Sequence, residues 1–253
     1  MPGLDIPHGT VNLSFSFSIP MIQLRMPATP SEVLGPTIRE KVIVEEQTFL
    51  ITRPDKVDRL SGHLDPGAGS GEAEEYIPFW ADLWPAARML AKAILKEAWP
   101  KPANGKPLTA LEIGCGLGLG GVAALSRGLH VIFSDYDATS LRYAADNARI
   151  NGFSDYEVLQ LDWRQPPAGL QVPIMLGSDL IYQMEMAPVL AALLKQVLTP
   201  DGFALLADQE RVPAPAFREA LAVQQLAFTQ QPTRAGAPGI GRVKGSLYRI
   251  THA

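Results

Sequence analysis

Apolar and polar positions follow two regimes along the chain. Residues 41–52 read Lys-Val-Ile-Val-Glu-Glu-Gln-Thr-Phe-Leu-Ile-Thr, with apolar runs on either side of Glu45–Gln47. That pattern predicts two short strands around a polar turn, although the turn lacks Gly and Asn. From Tyr76 onward, short apolar runs alternate with segments of helical period. Strands are predicted over 108–113, 130–134, 158–161, 174–178 and 203–207, with two more near 228–231 and 246–251. Helices are predicted over 83–98, 118–127, 138–150, 187–198 and 215–226. Asp82 is placed as the N-cap of the first helix, with Pro85 tolerated in its first turn. Gly152 stands where the helix over 138–150 needs a left-handed residue past its end. Thr199-Pro-Asp-Gly predicts a turn.

Strands alternating with helices predict an α/β fold. It is a Rossmann-like, doubly wound, mostly parallel seven-stranded sheet with helices on both faces. Residues 1–75 are expected to form an N-terminal arm with a β-hairpin and a flexible Gly-rich loop over 65–75; residues 76–253 form the main domain. Sheets of this kind bind ligands outside the carboxyl ends of their strands, near the point where strand order reverses. The residues just after each strand are therefore the ones to read for chemistry.

Composition narrows the partners. A formal net charge of -4 gives no sign of the basic face that grips phosphates, so no nucleic acid is expected. The single cysteine, Cys115, rules out a disulfide within the chain and suits a reducing compartment. No His/Cys spacing resembles a metal site. The N-terminus lacks a secretory pattern and no apolar run is long enough to span a bilayer, so the expectation is a cytoplasmic chain with no membrane contact.

The densest signal is Leu111-Glu-Ile-Gly-Cys-Gly-Leu-Gly-Leu-Gly-Gly. Gly114, Gly116 and Gly118 follow an apolar strand and open a helix, where glycines allow a tight turn and close approach of a ligand to helix N–H groups. Gly116-x-Gly118-x-x-Gly121 is formally a dinucleotide fingerprint. Counted from Gly114, the residue that ends the strand, the spacing is instead G-x-G-x-G. Glu112 beside the loop would repel a diphosphate and attract a sulfonium or an amino group. Asp135 follows the second strand of the main domain, where a carboxylate can accept ribose hydroxyls, and Asp137 caps the next helix. Asp162-Trp163 follows the third strand; an adenine contact and a plain loop Asp with a half-buried indole both fit. Ser178-Asp179-Leu180-Ile181-Tyr182 follows the fourth and would face the reacting group. Trp80 and Trp84, four apart before a helix, fit either core packing or a cofactor wall that favours a sulfonium through cation–π attraction.

Taken together, Glu112-x-Gly114-x-Gly116-x-Gly118, Asp135, Asp162-Trp163 and Asp179-x-x-Tyr182 resemble the class I, seven-β-strand methyltransferases. With Phe79-Trp80-x-x-x-Trp84-Pro85 the set resembles their protein-lysine methyltransferase group, which includes the enzyme acting on the electron-transfer flavoprotein β subunit and bacterial relatives labelled nicotinamide N-methyltransferase-like. The resemblance covers about Tyr76 to Leu226. It implies S-adenosyl-L-methionine as cofactor, with Gly114, Gly116 and Gly118 at its methionine part and Glu112 nearby. It places Asp135 at ribose, Asp162 and Trp163 at adenine, and Trp80 and Trp84 along the channel. Asp179 and Tyr182 become the catalytic pair facing a protein or small-molecule methyl acceptor. Ala207-Asp-Gln-Glu-Arg departs from the Ala-Asp-Pro-Gly-Arg usual in the bacterial relatives, in a segment that shapes the acceptor rim. Lysine N-methylation is the leading expectation. A small-molecule N- or O-methyltransferase shares the same cofactor site, and a non-catalytic binding protein on the same fold is the reading from another class.

Overall fold

The computed structural model describes residues 36–55, 79–100, 105–236 and 241–253. Strands β1 (Thr37–Val44) and β2 (Gln47–Pro54) form an antiparallel hairpin in which Val44 faces Gln47. It extends past both ends of the predicted strands. Glu45 takes the left-handed turn position at φ 52° without being Gly or Asn. Lys92 and Lys96 hold its carboxylate at 3.6 and 3.2 Å, and the Lys96 hydrogen bond leads in lowering its pKa.

A short 3-10 turn, Phe79–Ala81, precedes helix α1 (Pro85–Lys96). There follow β3 (Thr109–Ile113), α2 (Leu119–Ser126), β4 (His130–Asp135), α3 (Ala138–Ile150), β5 (Tyr156–Gln160) and β6 (Val172–Ser178). Then come α4 (Met186–Val197), β7 (Leu198–Asp208), α5 (Ala214–Val223), β8 (Leu226–Ala235) and β9 (Val243–His252). The main sheet has seven strands in the order β5-β4-β3-β6-β7-β9-β8. Only β9 runs against its neighbours. The expected doubly wound sheet is therefore present. One core packs the hairpin and α1, α2 and α3 on one face of the sheet; a second packs α4 and α5 on the other.

Two asparagines one helical turn apart on α3 fix the hairpin to this frame. Asn151 accepts from the Leu50 amide at 2.9 Å and donates to the Leu50 carbonyl at 2.7 Å. Asn147 does the same for Thr52, at 2.8 and 3.1 Å, and also donates to the Leu117 carbonyl at 2.9 Å. The side-chain amides thus act as a neighbouring strand would, and one of them continues into the glycine loop.

Two sequence expectations are corrected. Asp82 is not the cap of α1: Trp84 occupies that position with extended backbone and no side-chain cap, because the 3-10 turn delays the helix to Pro85. Thr199–Gly202 does not separate α4 from a later strand. The segment lies inside β7 as an irregularity, where the register steps from Val172–Leu198 to Ile174–Phe203. A Cβ on Gly202 would come 2.7 Å from the Pro173 carbonyl, so the bulge needs a residue without one there. Residues 1–35 of the predicted arm and the Gly-rich loop over 65–75 lie outside the described residues.

Candidate active site

Strand order reverses at β3: the chain passes outward to β4 and β5, then returns to β6 on the other side. A cavity of about 890 Å³ opens there, at the carboxyl ends of the strands. It is lined by all the residues singled out from the sequence: Trp80, Trp84, Glu112, Gly114, Gly116, Gly118, Asp135, Asp162, Trp163, Asp179 and Tyr182.

The β3–α2 side is built from backbone. Gly114, Gly116 and Gly118 have φ of 56°, 52° and 77°, a region costly for any side chain. Gly120 and Gly121 are required for another reason. A Cβ on either would run into the Glu112 carboxylate, and on Gly121 also into Phe133. Glu112 is buried and accepts from the Gly121 amide at 2.9 Å, with Gly120 a second donor. It closes the first turn of α2 where four amides lack helical partners. Burial pushes its pKa up to about 8, although those amides pull the other way.

Asp135 is tied to the same loop. Its Oδ2 accepts from the Gly116 amide and its Oδ1 from the Asp137 amide, both at 3.0 Å. Burial raises its pKa and these two donors oppose the rise. Asp137 caps α3 by accepting from Thr139, as expected from the sequence. Asp162, partly exposed, accepts from both the amide and the guanidinium of Arg164, at 3.0 and 2.9 Å. The Arg164 bond leads in holding its carboxyl below the usual range. The Trp163 indole approaches Gly114.

The opposite wall is built from side chains far apart in sequence. Asp179 follows β6 in the left-handed region at φ 58°. Its Oδ1 accepts from Arg211 at 2.7 Å and its Oδ2 from Gln209 at 2.6 Å, while the Ala86 amide at the start of α1 donates as well. Burial raises its pKa and Arg211 opposes this. Glu210, also left-handed at φ 57°, turns away to Tyr248, Arg218 and Gln230. Asp208 accepts from the Glu210 amide at 2.7 Å; its other oxygen is buried without a partner, and burial lifts its pKa to about 6. At the mouth, Tyr182 stands half exposed with its ring 6.2 Å from Phe79, and the Trp84 indole donates to the Phe79 carbonyl at 2.7 Å. Trp80 lies deeper, 5.4 Å from the Tyr143 ring, with its backbone over Gly116. The two readings of the tryptophans meet here: both touch the cavity, and Trp80 also joins the core.

Sequence reasoning placed the segment 207–211 at the acceptor rim but gave Gln209 and Arg211 no role as partners of Asp179. The available signal was positional. They follow β7 directly, and β7 is the neighbour of β6.

A model of the family described as lysine methyltransferase matches residues 79–222, more than half of the chain. The chain belongs to the lysine methyltransferase family. Within that frame, it is 31% identical over 133 residues to the ribosomal protein L11 methyltransferase of Hamiltonella defensa, covering 50% of this chain and 42% of that one. The same enzyme of Photorhabdus laumondii is 32% identical over 99 residues, covering 38% of this chain and 33% of that one. This lysine methyltransferase family member thus spans less than half the length of the curated relatives it matches. Its fold is similar to the crystal structure of the ribosomal protein L11 methylase of Lactobacillus delbrueckii subsp. bulgaricus, with TM-score 0.53 and 22% identity, covering 66% of this chain and 79% of that one.

Proposed function

We propose that the protein transfers a methyl group from S-adenosyl-L-methionine to the side-chain amine of a lysine in a protein. One observation carries this reading: a single cavity at the reversal point collects every residue of the motif set. Family membership supports the reaction class. The donor set suits the cofactor. Left-handed glycines leave room for a close ligand, and Asp135 has lone pairs left for ribose hydroxyls after its two backbone bonds. Bound there, the cofactor supplies an electrophilic methyl carbon on a sulfonium.

The chain's own residues align and desolvate the acceptor. An unperturbed lysine is protonated at pH 7, and neutralising it costs about 4–5 kcal/mol. The aromatic wall of Phe79, Trp84 and Tyr182 disfavours the ammonium and reduces that cost. Asp179, held by Arg211, Gln209 and Ala86, orients the amine rather than serving as a strong base. The catalytic assignments to Asp179 and Tyr182, and the cofactor roles of Glu112, Asp162, Trp163, Trp80 and Trp84, belong to this proposal.

The test is a thermal shift with S-adenosyl-L-methionine, S-adenosyl-L-homocysteine and NAD in parallel. A ligand at 100 times its Kd adds about 2.7 kcal/mol, hence several degrees. Shifts with the two adenosyl ligands alone are expected; a shift with NAD alone overturns the reading. Ribosomal protein L11 is the first acceptor to try, because the relatives are named for it. Mass spectrometry would locate each added methyl on a lysine.

A further inference from the structure

A second pocket, of about 670 Å³, lies beside the first turns of α1. Ala87 faces the first cavity and Arg88 faces this one, so the helix stands between them. Its walls come from three elements: the turn of the β1–β2 hairpin, α1, and the end of the β8–β9 pair where Ala235 lies opposite Val243. Four cations line it, Arg88, Lys92, Arg234 and Arg242, against one carboxylate, Glu45. That concentration stands out on a chain whose formal net charge is -4.

The cations differ in how they are held. Arg88 is buried; it reaches Glu40 at 3.4 Å, and its Nε has no hydrogen-bond partner among the described residues. Burial lowers its pKa, with Glu40 opposing. Lys92 shares Glu45 with Lys96. Arg234 and Arg242 are exposed and make no hydrogen bond or ion pair with any described residue. In the β8–β9 register, Arg234 lies opposite Lys244, which adds a third cation at this end of the sheet. Like charges directly opposite one another destabilise a strand pair, so the arrangement has a cost without a ligand.

Two features select the kind of anion. The cations sit on separate elements, which suits several carboxylates spaced along a chain better than one compact phosphoryl group. Moreover, β8 is the terminal strand of the sheet, so among the described residues its outer main-chain groups have no strand partner and can pair with an extended polypeptide. β8 runs parallel to β3–β7, so its Pro232–Ala235 end lies on the same edge of the sheet as the first cavity.

We propose that this pocket docks an acidic segment of a protein partner through Arg88, Lys92, Arg234 and Arg242. The proposal goes beyond the methyl-transfer reading and does not depend on it. Binding is measured directly, by fluorescence anisotropy of a labelled hexaglutamate peptide on the full chain at low salt. The expected result is saturable binding that weakens as salt is raised. The double variant Arg234→Glu with Arg242→Glu should lose about tenfold or more in affinity. Arg127→Glu, which alters an exposed cation on the C-cap of α2, should lose less than about twofold and shows what half of that change in net charge does elsewhere on the chain. Arg234 and Arg242 are exposed and make no ion pair among the described residues, and Arg234→Glu also relieves the repulsion from Lys244, so a melting temperature no lower than that of the wild type shows that the double variant folds, and an unchanged cofactor-induced shift separates docking from the first cavity. Equal peptide affinity in the wild type and the double variant overturns the proposal. So does an absence of peptide binding, with or without binding of inorganic pyrophosphate to the same residues.

Discussion

The two walls of the first cavity are built in opposite ways. On the β3–α2 side, near-contiguous backbone does the work: three left-handed glycines, helix amides, and two carboxylates, Glu112 accepting from the helix amide of Gly121 and Asp135 from the loop amide of Gly116. On the β6–β7 side, Asp179 depends on Gln209, Arg211 and Ala86, which come from other elements. The first wall is determined locally and leaves little freedom. The second is a side-chain network, where a replacement changes chemistry before it changes the fold. Under the proposed function, a rigid cofactor wall facing a re-specifiable acceptor wall would let one scaffold serve different acceptors.

That contrast can be broken most severely at Gly121. Gly121→Ala places a methyl into Phe133 and Glu112, and should cost about 3 kcal/mol or more in denaturant unfolding. A loss under about 1 kcal/mol would show the first wall to be softer than described. The second wall should respond in the other currency. Asp179→Ala is expected to lower methyl transfer about 100-fold or more while cofactor affinity, read by calorimetry, stays within a few fold. Full activity would remove Asp179 from the acceptor site.

Titration sharpens the comparison further. Glu112 has an ordinary value of 4.5 and is raised to about 8 in the fold. Its proton therefore favours the folded state. That contribution is fully present below about pH 4.5 and is lost as pH rises toward 8. Glu112→Gln should flatten the stability profile across that window, measured by unfolding at several pH values. Asp208 behaves likewise over a narrower range, from an ordinary 3.8 to about 6, so Asp208→Asn should give the smallest effect, confined below about pH 6. A profile unchanged in Glu112→Gln would mean that the amides fully offset the burial penalty and leave the carboxyl at its ordinary value.

The same division explains what could be read from the sequence. The helix over 138–150, its Asp137 cap and Gly152 beyond its end follow local rules, and all three stand where the pattern puts them. The glycine loop is legible for a related reason: the residues that answer its constraints stand within eight positions, Gly114 to Gly121, although the groups that crowd them, Phe133 and Glu112 among them, lie outside. Asp82 went wrong because a 3-10 turn intervenes, and such a turn has no apolar period to announce it. Thr199–Gly202 has the composition of a turn, yet the neighbouring β6 absorbs it into a strand, and composition holds no record of a neighbour. The pairing of Arg211 with Asp179 was not legible because the two are 32 residues apart.

The position of β9 constrains how the molecule assembles. β9 follows β8 in the chain, but in the sheet it lies between β7 and β8. During synthesis β8 leaves the ribosome first and has no edge to join until β9 arrives. The nucleus around β3, β4 and β6 can form before then, whereas β8 must wait as an unpaired ribbon with its polar backbone exposed. A chaperone that shields strand edges would find its client in that state.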